Sequence, residues 1–141
     1  MIKGEKRVKT NDLVCNIEPH FTMVPYPRRK EDLTEGGIWT CRKGRKKVAQ
    51  ANVQFELEGR YYPLSGDIPA KSGVIANIEV AETARGKGYG SEVLKDIERE
   101  AKEQGMKRMY ATSVLFPAEG FWKKQGFIHT GQRRVWIKKL E

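Results

Sequence analysis

The chain has 141 residues, 27 Lys and Arg against 18 Asp and Glu, and a formal net charge of +9; this length is expected to form one domain over residues 1–141 with a core of its own. Apolar residues make up 38%, no apolar run approaches the roughly 18 residues of a membrane span, and the opening MIKGEKRVKTND lacks a secretory apolar stretch, which points to the cytoplasm. The two cysteines, Cys15 and Cys41, can neither build a disulfide framework nor complete a structural zinc site. His20 and His129 show no ligand spacing with them, so no metal is expected, and both thiols are read as reduced and buried. The positive excess favours an anionic partner, whether nucleic acid, phosphorylated co-substrate or acidic protein surface.

Taken in chain order, LVCNIE at 13–18 reads as a short strand. Three prolines, Pro19, Pro25 and Pro27, argue against a long helix before about residue 28, while RRKEDLTE at 28–35 has room for a turn or two. Strands follow at 38–42 and 46–58, joined around Gly44, with Val53, Phe55 and Leu57 on one face and Gln54, Glu56 and Glu58 on the other. The stretch Gly59–Ser72 is long for a plain connection and is expected to be a functional lid. GVIANIEVAE, from Gly73, is apolar enough for a central strand buried on both faces.

The clearest helix is SEVLKDIEREAKEQG, from Ser91 to Gly105. Val93, Leu94, Ile97 and Ala101 share one face, and Gly105 stands at its C-terminal stop. KRMYATSV reads as a further strand, PAEGFWKKQ as a short helix opening on Pro117, and FIHTGQRRVWIKKL as a terminal strand pair. From residue 73 the order is strand, helix, strand, helix, strands, an α/β pattern with at least one parallel crossover.

Between the central strand and the long helix stands RGKGYG, residues 85–90. Unpaired N–H groups and the helix dipole meet at such a junction, glycines let a ligand approach the backbone, and Arg85 and Lys87 add full charges, so an anion is the expected ligand. The nucleotide P-loop spacing fails, because Ser91 directly follows Tyr89-Gly90 and not a Gly-Lys pair. The dinucleotide fingerprint fails too, since the third glycine position falls on Ser91 or Val93.

The pattern present is Arg-x-x-Gly-x-Gly, on Arg85, Gly88 and Gly90. IEVAETARGKGYGSEVL resembles the acyl-CoA pyrophosphate loop of the GNAT superfamily of N-acetyltransferases. AEGFWKKQGF at 118–127 is similar to that family's short helix and next strand, its KKQGF ending most like the histone-acetylating branch. The resemblance covers roughly residues 73–131. It implies a single-domain α/β fold with a mixed sheet, flanked by helices, whose central parallel strands, 74–81 and 107–113, splay apart around acetyl-CoA as co-substrate. The backbones of Ile78 and Val80 would then face the pantetheine and thioester, and Arg85, Gly86, Lys87, Gly88, Tyr89, Gly90 and Ser91 the pyrophosphate.

The implied reaction is transfer of an acetyl group to a primary amine, on a protein lysine, an N-terminus or a small molecule. Neutralising a lysine-like amine at pH 7 costs about 4.6 kcal/mol, and expelling a cysteine-like thiolate only about 2, so a base matters more than an acid. The family's base positions fall on Val74 and Ala76, which accept no proton. Glu79 is preferred, with Glu56, Glu58 and Asp67 as other candidates and a base acting through water equally compatible. The family's tyrosine acid falls on Trp122, which packs against the pantetheine or into the core, and its asparagine falls on Leu115. The acceptor side, commonly two helices, is short and Pro-rich here at 19–37, so the 59–72 loop with Tyr61 and Tyr62 is expected to supply that wall.

The helix 91–104 has five acids and three bases, net −2, leaving +11 for the rest. Basic clusters stand at 28–30, 42–47 and 133–139; if they form one surface, it suits an acidic protein or an amine associated with nucleic acid more than a basic tail. Two other readings remain: a CoA-binding protein of the same fold with weak catalysis, and a basic nucleic-acid module. Against the latter, the best helix is acidic and no stacking platform appears. The oligomeric state is open, a homodimer included.

Overall fold

In the computed structural model, which describes residues 6–10, 13–23, 33–62 and 65–140, the strands are β1 (Lys6–Thr10), β2 (Leu13–Met23), β3 (Leu33–Lys43), β4 (Lys46–Glu56), β5 (Arg60–Tyr62), β6 (Gly66–Ile68), β7 (Ser72–Val80), β8 (Arg108–Ala111), β9 (Ile128–His129) and β10 (Trp136–Lys139). Helix α1 spans Tyr89–Glu103 and α2 Glu119–Lys124, each preceded by a 3₁₀ turn, Glu82–Ala84 and Phe116–Ala118. Eight strands form one mixed sheet in the order β1-β2-β3-β4-β7-β8-β10-β9, and β5 and β6 pair by themselves. Among the described residues only β7 and β8 run parallel; the other pairs are antiparallel.

Period-two alternation assigns the faces. Ala49, Ala51, Val53 and Phe55 of β4 are buried, while Gln50, Asn52 and Gln54 between them are half-buried. The buried row meets α1, whose Val93, Leu94, Ile97 and Ala101 repeat at helical spacing and are at most 1% exposed. Truncating one such side chain, as in Ile97→Ala, costs about 2–5 kcal/mol. Asp96 sits in this core at 2% exposure without being left unsatisfied. Trp39 Nε1 donates to its Oδ2 at 3.3 Å and Arg99 Nη1 to its Oδ1 at 2.7 Å.

Several sequence expectations need correction. Cys15 and Cys41 are buried as expected but not reduced: they are partners across β2 and β3, 4.0 Å apart at Cα, and are bonded to each other. Sequence spacing alone hid that pairing, since a register brings together residues 26 apart. β2 continues through Pro19 to Met23, and the last three residues of the expected helical turn at 28–35 belong to β3. The rest of that turn lies outside the described residues, as does the basic cluster 28–30. The expected lid at 59–72 contains the β5–β6 hairpin. Its Tyr62 hydroxyl donates to Glu56 and lies 2.6 Å from Gln54 Oε1, while Arg60 Nε donates to Glu56 Oε1 at 3.2 Å.

Candidate functional site

The site begins as an irregularity in β7. Its register with β4 steps from Asn52↔Asn77 to Val53↔Ile75, so Ala76 is an extra residue without a partner. The burial phase slips with it: Val74 and Ile75 are both buried, Ala76 and Asn77 both exposed. Such a bulge bends the strand and increases its twist. Parallel pairing with β8 stops at the same place, running only from Ser72↔Arg108 to Ile75↔Ala111. The last bond across the pair is Thr112 N–H to Ile75 O at 3.1 Å, after which Ser113 takes φ +60 and the chain leaves the sheet. Beyond Ile75 the two strands part.

The slip decides which backbone groups face the opening. Ala81 N–H donates to Val48 O of β4 at 2.8 Å. Alternation then turns residues 77 and 79 toward β4 as well, and Ile78 and Val80 toward the parted side. Consistently, the Val80 carbonyl accepts not from β4 but from Arg85 Nε, at 3.1 Å. Without the extra Ala76, the inward positions would have been 77 and 79.

The opening is a cleft of about 790 Å³. Residues 47–50 of β4 and 78–82, from the end of β7 into the 3₁₀ turn after it, form one wall, Pro117, Ala118, Phe121 and Trp122 the other, and Arg85 and Gly90 the end. Trp122 is 6% exposed and meets Phe121 and Phe127 edge-on at 5.1 and 4.9 Å. It belongs to core and cleft wall at once.

At the cleft's end, Gly86 (φ +80) and Gly88 (φ +81) hold the turn in the left-handed region that glycine adopts without strain. Gly88 is the N-cap of α1 and has no side-chain cap bond, so the first-turn amides carry their partial positive charge toward the turn. Gly90 serves packing instead, since a Cβ there would stand 3.1 Å from Phe121 Cε1. Gly86, Lys87 and Gly88 are exposed; Tyr89 is 8% exposed, and Ser91 Oγ accepts from Gln125 Nε2 at 2.7 Å. Those last two residues anchor the helix start to its surroundings and do not line the cleft.

Of the candidate carboxylates, the exposed Glu79 lines the cleft, opposite Gln50 on β4. Glu56 is 3% exposed, at the other end of β4, and bonded to Tyr62 and Arg60; Glu58 and Asp67 are exposed, and none of the three lines the cleft. Burial above all, and Glu56 beside it, push the Tyr62 phenol above its ordinary pKa. No described residue of the 59–72 segment lines the cleft either. Leu115 is 54% exposed and outside it. Lys47 and Gln50 were missed in the sequence because nothing local shows β4 lying beside β7; Phe121 was visible only as part of an aromatic pair. Among the described residues, no group of three or more His, Cys, Asp or Glu side chains is placed to hold a metal ion.

Residues 10–127 match the model of the acetyltransferase (GNAT) family. Comparison with curated proteins finds no match. Among solved structures, a GNAT-family acetyltransferase from Staphylococcus aureus Mu50 is similar at TM-score 0.57 and 17% identity, covering 75% of this chain and 68% of that one. An acetyltransferase from Thermus thermophilus is similar at 0.56 and 21%, over 74% and 64% of the two chains. The AtaT Y144F mutant toxin, bound to the C-terminus of the antitoxin AtaR and acetyl-CoA, is similar at 0.59 and 12%, over 74% and 68%. At these identities the likeness concerns the fold.

Proposed function

The chain belongs to the acetyltransferase (GNAT) family, and from that premise we propose that residues 1–141 act as one domain transferring an acetyl group from acetyl-CoA to a primary amine by direct attack on the thioester. The observation that carries this reading is the parting of β7 from β8 beyond Ile75, with the inward backbone of Ile78 and Val80 along a cleft that ends at the glycine turn. A thioester with a pyrophosphate at its far end needs such a site: amides for the carbonyl, a trough for the pantetheine, positive charge for the diphosphate. Acetyl-CoA is present in one of the similar structures, the AtaT complex.

In this reading Arg85, Lys87 and the amides of residues 86–91 hold the pyrophosphate, and Trp122 closes the trough beside the pantetheine. Ile78 or Val80 N–H stands at the thioester oxygen and stabilises the oxyanion formed when nitrogen attacks; losing one such donor typically lowers turnover about 10²–10³-fold. Glu79 takes the proton from the incoming ammonium, directly or through water, because an amine with a lysine-like pKa is mostly protonated at neutral pH. Helix α2, EGFWKK, has no hydroxyl or thiol to protonate the departing sulfur; a thiolate leaves without one at modest cost.

That same feature favours a second reading, a CoA-binding protein of this fold with weak catalysis. The deciding experiment follows thiol release from acetyl-CoA with a panel of peptide and small amines, beside calorimetric titration with CoA. Amine-dependent thiol release supports the transferase, binding without turnover selects the second reading, and no binding rejects both.

A further inference from the structure

The β3–β4 hairpin turns through two residues, Gly44 and Arg45, with Gly44 at φ +63, as glycine does at the first position of a tight hairpin. Lys43 and Lys46 flank the turn as cross-strand partners, so both side chains leave the same face of the ribbon. Both residues are exposed, and neither lines the cleft. Instead they reach the two ends of the glycine turn. Lys46 Nζ donates to Thr83 Oγ1 at 3.0 Å, just before it, and Lys43 Nζ stands 5.8 Å from the centre of the Tyr89 ring, near its end.

Two ammonium groups so placed, beside the further positive charge of Arg85, Lys87 and the α1 N-terminus, concentrate more positive charge at the two ends of the turn than a diphosphate needs. An additional phosphate bound between the two side chains meets that charge. Acyl-CoA carries one such group: the 3′-phosphate on the ribose, joined through that sugar to the pyrophosphate. Dephospho-CoA is the same molecule without it.

We propose that Lys43 and Lys46 clamp the 3′-phosphate of acyl-CoA, making the β3–β4 hairpin the element that distinguishes CoA from its dephosphorylated form. The inference rests on the acyl-CoA reading above and adds a binding site outside the cleft. It leaves Arg85 and Lys87 to the pyrophosphate, which both ligands share.

The test is calorimetric titration of the full chain with CoA and with dephospho-CoA. It uses the unaltered protein, Lys43→Gln/Lys46→Gln, and a control, Lys102→Gln/Lys107→Gln, which removes the same charge from exposed positions at the far end of α1 and just beyond it. At low ionic strength the unaltered protein prefers CoA about tenfold, the effect of two solvent-exposed ion pairs, and the preference shrinks as salt is added. The hairpin variant loses most of its preference; the control keeps it. Equal affinity of the unaltered protein for both ligands overturns the clamp while leaving the acyl-CoA reading in place. So does a hairpin variant that weakens both ligands by the same factor, since the lysines would then serve the pyrophosphate. A hairpin variant that keeps its preference but loses affinity for a short RNA duplex overturns it in favour of a nucleic-acid contact. Failure of both ligands to bind removes the acyl-CoA reading itself.

Discussion

Replacing Gly88 with alanine isolates the backbone's part in the glycine turn. A Cβ at this position would meet nothing within 4 Å, so no clash contributes, yet φ is +81 with ψ 10 at the N-cap of α1. Holding an L-residue in that region costs about 1–2 kcal/mol, equivalent to a fall of roughly 3–8 °C in the unfolding midpoint for a domain of this size. The turn can shed that strain only by rotating the peptide units at the start of α1, which re-aims the amides assigned to the pyrophosphate. Losing one charge-assisted bond of about 1.5–3 kcal/mol weakens CoA binding about tenfold or more. Gly105 provides the control. It lies just past the other end of the same helix, at φ +84, again with nothing within 4 Å of an added Cβ. Thermal melts of Gly88→Ala and Gly105→Ala should therefore fall by similar amounts, while calorimetry finds weakened CoA binding in Gly88→Ala alone. Wild-type affinity in Gly88→Ala, or an equal loss in Gly105→Ala, would refute the reasoning.

Glu79→Gln is expected to lower turnover about 10²–10⁴-fold while leaving CoA affinity unchanged; steady-state rates at wild-type level would remove Glu79 as the base. Gly90→Ala sets a Cβ 3.1 Å from the Phe121 ring, so the ring must shift toward the cleft it lines. Calorimetry should show weaker CoA binding with the melting temperature little changed, because alanine also raises helix propensity by about 1 kcal/mol. Tyr62→Phe leaves the buried Glu56 without its phenolic donor and should destabilise the fold by about 1–3 kcal/mol in denaturant melts, with CoA affinity intact. The folded-state pKa of Tyr62 is raised, so this contribution is fully present below the unfolded value of about 10 and is lost as pH rises beyond it. The gap between wild type and Tyr62→Phe should accordingly hold up to about pH 10 and narrow progressively as pH rises above it.

The sequence exposed the half of the site that is local in the chain. Three glycines with two cations between an apolar strand and an amphipathic helix mark the turn at 85–90, and the spacing Val93, Leu94, Ile97, Ala101 marks the face of α1 that is buried. What stayed hidden depends on register. The bulge at Ala76, which turns Ile78 and Val80 rather than 77 and 79 toward the opening, is signalled by no residue preference, because alanine is tolerated in and out of a ladder; only the family resemblance pointed to those two positions. The pairing of β4 with β7 that brings Lys47 and Gln50 to the cleft is equally silent, as is the facing of Cys15 and Cys41. Length misled at 59–72, where two three-residue strands fill a stretch that looked like a lid.

The backbone of β7 can be watched directly by recording amide resonances of the labelled protein during titration with CoA. Ile78, Val80 and the glycines at 86 and 88 should shift and gain protection from hydrogen exchange. Ala81, whose N–H is already bonded to Val48 O at 2.8 Å, should change little. Shifts confined to other strands, or none at saturating ligand, would contradict the account.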